Sequence, residues 1–141
     1  MSEKTKKWHS YAKEREGRLL RLRYPPKKNY EDIQPKLHLL VWGTYTQTEF
    51  PEIELSFDEL HQSIVPLDEH IISGLPCPVL IETFLRKRTY YSYAPENFSF
   101  KDLQPSAQTA FPKEELTWES KLDPHWKLLR SYVQESDFFD H

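Results

Sequence analysis

The chain has 141 residues, the length of one ordinary domain, and its composition of 38% hydrophobic, 29% charged and 14% aromatic residues suits a globular core assembled from few, large side chains. The formal net charge of −3 lacks the strongly basic footprint of most nucleic-acid binders, and a single cysteine excludes an internal disulfide and suits a reducing compartment. Three Gly against eleven Pro leave no glycine-rich phosphate cradle, no run approaches the roughly 18 apolar residues of a membrane span, and Met1–Lys7 has no apolar stretch behind its charges, so a cytoplasmic protein that does not enter membranes is expected.

Charge is unevenly placed. Residues 1–38 hold eleven Lys/Arg against five Asp/Glu, residues 39–85 hold no Lys/Arg and eight Asp/Glu, and residues 86–141 hold eight against nine. Either the basic and acidic blocks neutralise one another across the fold, or they form opposite faces that steer partners.

Taken in chain order, Lys7 to Lys13 reads as a strand, Glu14-Arg15-Glu16-Gly17 as a turn and Arg18 to Tyr24 as the hairpin partner. Alternation places Leu20, Leu22 and Tyr24 on one face and Leu19, Arg21 and Arg23 on the other, as a sheet with one wet face requires. Pro25-Pro26 fixes φ twice and removes two donors, making a connector. Lys36 to Tyr45 is the most apolar strand, continuous enough to be covered on both faces.

Ser56-Phe57-Asp58-Glu59 has the form of a capping box, and Phe57, Leu60, Ile64, Leu67 and Ile71 make one apolar stripe at helical spacing that ends at Gly74. Pro66 within it costs about 3 kcal/mol or bends the axis, so one kinked helix or two nearly collinear pieces are expected. Pro78 to Leu85 and Thr89 to Ala94 form a second hairpin. A short helix around Lys101 to Thr109, a strand from Glu114 to Lys121 and a last helix follow, the last with Asp123 as N-cap, Pro124 in its first position and Trp126, Leu129 and Val133 turned inward. The pattern predicts an α+β fold: an antiparallel sheet of about six strands with two or three helices mainly on one face, a two-layer sandwich forming one domain over 1–141 with 1–6 and 135–141 frayed.

Several of these segments together resemble a known family. The amphipathic helix with acids near its start, the hairpin Val-Leu-Ile-Glu-Thr-Phe-Leu-Arg-Lys-Arg-Thr-Tyr-Tyr-Ser-Tyr, the following Asn97-Phe98 and the Asp123-Pro124-His125-Trp126 run before the closing helix resemble the bacterial family called domain of unknown function 695. The opening Trp8 and Tyr11 and the Arg-Leu-Leu-Arg-Leu-Arg strand fit it too, so the likeness covers nearly the whole chain through short, degenerate motifs. It implies an α+β fold similar in pattern to modules like the protein regulator of ribonuclease E activity B, and it brings no catalytic residues. The hairpin turn here is more basic and less glycine-rich than that pattern, and Pro66 interrupts the helix.

Two surfaces are candidates for recognition. Arg86, Lys87 and Arg88 adjoin Tyr90, Tyr91, Tyr93 and Phe98, with Arg21 and Arg23 on a neighbouring strand; stacking aromatics beside cations suit single-stranded RNA or a protein, and equally an ordinary solvated turn above core tyrosines. Glu49, Glu52, Glu54, Asp58, Glu59, Asp68 and Glu69 suit a cationic partner, such as the toxin blocked by an immunity-type protein, or simply a soluble helix face.

No catalytic, cofactor or metal site is expected. The six histidines His9, His38, His61, His70, His125 and His141 lack ligand spacing, and Asp58 with His61 suits a surface hydrogen bond. Cys77 in Leu-Pro-Cys-Pro-Val has no local cation to lower its pKa and reads as a small core residue, while Glu114, Glu115 and Glu119 suit a solvated strand. The expectation is a non-enzymatic protein-binding or regulatory module that uses Asp58, Glu59, Asp68 and Glu69, with Arg86, Lys87, Arg88, Tyr91 and Tyr93 as a second contact. The alternatives are an RNA-binding regulator and an immunity-type blocker of a basic toxin. The chain does not specify an oligomeric state.

Overall fold

A computed structural model describes residues 8–25, 33–46, 68–84, 87–99 and 115–132. Six strands form one open sheet: β1 (His9–Arg15), β2 (Arg18–Tyr24), β3 (Leu39–Thr46), β4 (Cys77–Phe84), β5 (Lys87–Ala94) and β6 (Glu115–Leu122), in the spatial order β1-β2-β4-β5-β3-β6. Every pairing is antiparallel. The described helices are two, α1 over residues 68–74 and α2 (Lys127–Tyr132), with a short 3₁₀ turn at Gln34–Lys36. The class is therefore α+β and mostly sheet.

The first hairpin is tighter than the sequence suggests. β1 runs on to Arg15, which pairs with Arg18, and the turn is only Glu16-Gly17. Both turn residues have positive φ, 54° and 76°, the combination that matches the right-handed twist of the flanking strands. That geometry lets the ladder reach two residues further than the expected end at Lys13.

The sheet has two faces, and each carries a buried apolar cluster. Leu20, Leu22, Tyr24, Leu40, Leu80, Tyr93, Trp126 and Leu129 cluster on one side of the sheet; Val41, Ile71, Ile72, Leu75, Ile81, Tyr90, Ala94 and Trp118 cluster on the other. α2 covers the first side and α1 the second, which departs from the expected placement of the helices mainly on one face. The reason lies in β4: Leu80 and Ile81 are consecutive, point to opposite faces and are both buried, so neither face can be left to water.

At the last helix, Asp123 does cap, but at longer range than expected. Its carboxylate accepts from the amides of Lys127 (2.9 Å) and Leu128 (3.1 Å), so the helix starts at Lys127. Pro124 and His125 form a turn, and Trp126 takes a left-handed φ of 54° that swings its indole under the sheet. There it stacks on Tyr93 at 4.1 Å and 3° and donates from Nε1 to the Leu37 carbonyl. Leu129 is buried beside it, and Val133 lies outside the described residues.

The capping box at Ser56–Glu59, the stripe from Phe57 to Leu67, the bend at Pro66 and the helix at Lys101–Thr109 also lie outside the described residues. Residues 68–74 carry the end of the first expected helix, with Ile71 fully buried and Gly74 last. Among the described residues no helix is long and apolar enough to cross a membrane.

Candidate functional site: a buried charge lock and an aromatic strip

Sheet register builds the first cluster. Arg21 stands opposite Thr83, which stands opposite Arg88; one rung along, Arg23 stands opposite Ile81, and Ile81 opposite Tyr90. These side chains therefore share the α1 face. That face was expected to be wet on β2, yet Arg21 and Arg23 are 7% and 5% exposed. The correction has a physical cause, because α1 roofs this part of the sheet and brings in a carboxylate.

That carboxylate is Asp68, in the first described turn of α1 and wholly buried. Arg88 grips both of its oxygens, Nε to Oδ1 at 3.0 Å and Nη2 to Oδ2 at 2.7 Å, and Arg88 also donates to Thr83 Oγ1. The Tyr90 hydroxyl donates to Asp68 Oδ1, and Arg23 lies 3.9 Å from Oδ2. Burial works against the Arg88 charge, but Asp68 and Tyr90 outweigh it and raise the guanidinium's pKa. Burial, then the neighbouring Asp68, pushes the Tyr90 phenol well above its ordinary value, so it stays a hydrogen-bond donor. At Arg21 burial, then the Arg88 charge, lowers the pKa.

The two sets of residues singled out for partners thus meet each other. Asp68 of the acidic set and Arg88 of the basic set are bonded together inside the protein. Tyr93 is buried as well, donating to Asp123 Oδ2 at 2.7 Å. Glu69 remains half-buried on α1, Lys87 is exposed and Tyr91 is half-buried; Asp58, Glu59 and Arg86 lie outside the described residues. Phe98 packs on the α1-side cluster, and Cys77 is buried in the other. Among the described residues no three His, Cys, Asp or Glu side chains converge as a metal ion requires.

A second cluster crosses the opposite face at its outer end. Arg15 of β1 reaches Glu82 Oε2 at 3.3 Å and Tyr132 Oη at 3.3 Å, while the Tyr132 hydroxyl donates to the same Glu82 oxygen. The Arg15 guanidinium lies 5.1 Å from the centre of the Phe84 ring and 5.7 Å from that of Tyr132. Tyr132 in turn meets Tyr91 at 6.2 Å, and Tyr91 stands opposite Trp42 in the β3–β5 ladder. Trp42 completes the strip by donating from Nε1 to Glu119 at 3.1 Å.

Phe84, Tyr132, Tyr91 and Trp42 are all half-buried, and Lys87 stands directly opposite Phe84. Burial raises the phenol of Tyr91, with Glu82 adding to it, and burial also raises that of Tyr132. Both remain neutral donors at any physiological pH. Of these residues the sequence pointed only to Lys87 and Tyr91. The sequence reads Arg15 as part of a turn and Trp42 as part of a core strand, and neither reading shows that the β1–β2 hairpin and β3 flank the β4–β5 hairpin. No family model matches the chain, and neither a curated protein nor a solved structure matches it.

Proposed function

We propose that the protein is a non-enzymatic protein-binding or regulatory module of the bacterial cytoplasm. The observation that carries this reading is the strip Arg15–Phe84–Tyr132–Tyr91–Trp42. Trp, Tyr and Arg dominate binding hot spots because they bring large contact areas with a polar tip, and here they are partly exposed and already held in place. The buried Asp68–Arg88 pair supports the reading from the other side, since it fixes α1 and so presents Glu69 on a rigid element. Glu69 is then part of a second, acidic contact.

Affinity capture from a bacterial lysate at low and moderate salt, with Trp42→Ala and Arg15→Ala beside the unaltered protein, tests the proposal. A partner retained by the unaltered chain and lost by both variants, at unchanged melting temperature, is the expected result. Equal capture by all three removes the strip from the reading.

Binding of single-stranded RNA is the second reading, favoured by the placement of the cations Arg15 and Lys87 beside aromatic faces on which bases stack. Titration of labelled RNA against Lys87→Ala and Tyr91→Ala variants tests it, with weaker binding and a shallower salt dependence expected from the lysine change. Unchanged affinity in both variants rejects it.

A further inference from the structure

We infer that β6 is a self-pairing edge, through which a second copy of this chain extends the sheet in antiparallel fashion about a two-fold axis centred on Ser120. Among the described residues β6 is hydrogen-bonded to β3 alone, at the end of the strand order. An open edge is a template for another strand, and proteins that stay monomeric blunt theirs with bulges, prolines or repelling charges. β6 pairs with β3 without a register shift over its whole length, has no proline, and carries Leu122 at 63% exposure.

The sequence of the edge selects the partner and the register. A two-fold axis perpendicular to the sheet keeps each face continuous, so residues of the same face oppose one another across the junction. With Ser120 opposite itself, Glu119 of each copy faces Lys121 of the other, giving two ion pairs by symmetry. Trp118 of each copy likewise faces Leu122 of the other, which carries the exposed leucine toward a buried indole. Centring one residue earlier sets Glu119 against itself, and one residue later sets Lys121 against itself. Like charges directly opposite destabilise a strand pair, whereas opposite charges and aromatic–aliphatic pairs stabilise it.

Glu119 and Lys121 are both exposed on the strip side of the sheet. Junction of two copies also sets the two Trp42–Glu119 ends of the aromatic strips side by side. The contact is short compared with the roughly 800 Å² per partner of a standard interface, so the dimer is concentration-dependent. It does not depend on what the strip binds.

Sedimentation velocity over a concentration series tests the inference. The unaltered chain is expected to pass from monomer to dimer as concentration rises, while Lys121→Glu and Glu119→Lys are each expected to stay monomeric with melting temperatures near that of the parent. Mixing these two variants then restores dimers, because every junction pair is again of opposite sign. Leu122→Lys, at a side chain already in water, is a variant that keeps the fold and is also expected to stay monomeric. A parent chain that remains monomeric at its highest soluble concentration overturns the inference. So do dimers that survive Lys121→Glu or Leu122→Lys, or a variant mixture that does not associate.

Discussion

Arg88 holds Asp68 by both carboxylate oxygens, at 3.0 and 2.7 Å, and joins two residues twenty positions apart in a site without solvent. The pair fastens α1 to β5, and Thr83 and Tyr90 supply the remaining polar contacts on the β4–β5 hairpin. Its planar, two-pronged geometry suits guanidinium and not ammonium.

Removing one partner leaves the other charge buried and uncompensated. Asp68→Ala and Arg88→Met are therefore each expected to lower unfolding free energy by about 3–5 kcal/mol, and their combination by clearly less than the sum. Arg88→Lys is expected to recover only part of the loss. Urea unfolding of the four variants checks this; additive losses in the double variant contradict a direct coupling.

Asp123 predicts a pH dependence with a definite sign. Burial favours its neutral form, but the Tyr93 hydroxyl and the amides of Lys127 and Leu128 outweigh burial and hold the carboxyl below its ordinary pKa of 3.8. A carboxylate whose pKa is depressed on folding adds stability that is complete above the unfolded value and is lost as pH falls through the folded one. Acidification below 3.8 should thus narrow the stability gap between the unaltered protein and Asp123→Asn. Melting temperatures of both proteins from neutral to acid pH measure it, and a constant gap rejects the assignment.

Gly43 is required by Trp118. The two stand opposite each other in the β3–β6 ladder, and a Cβ placed on Gly43 meets the indole at 2.7 Å, closer than carbon atoms pack. Trp118 is buried and unable to yield freely, so Gly43→Ala is expected to cost about 1–3 kcal/mol despite its smaller conformational entropy in the unfolded chain. Pairing it with Trp118→Leu, which clears the space, should make the alanine nearly neutral. Thermal melts of the single and double variants decide the matter, and an equally large alanine penalty in both backgrounds counts against steric contact as its source.

How much of this is legible in the chain varies with the distance between partners. Alternation in Arg-Leu-Leu-Arg-Leu-Arg identifies β2 and assigns Leu20, Leu22 and Tyr24 to one face, and the structure buries all three. The same alternation assigns Arg21 and Arg23 to water, and there it fails, since α1 covers them. Asp123 is readable as a cap, but the intervening turn and the left-handed Trp126 are not, because no local preference of tryptophan calls for a positive φ; packing on Tyr93 holds it there. The aromatic strip is unreadable for a simpler reason, as Arg15, Trp42, Phe84 and Tyr132 come from four separate segments.

By itself the sequence determines the six strands and the α+β class, because a strand's period of two and a turn's φ requirements are properties of adjacent residues. Only the tertiary structure decides which charges are displayed and which are consumed. Whether Arg88 faces a partner molecule or Asp68 depends on desolvation and on a carboxylate carried in by another element, and neither exists until the helix has docked on the sheet.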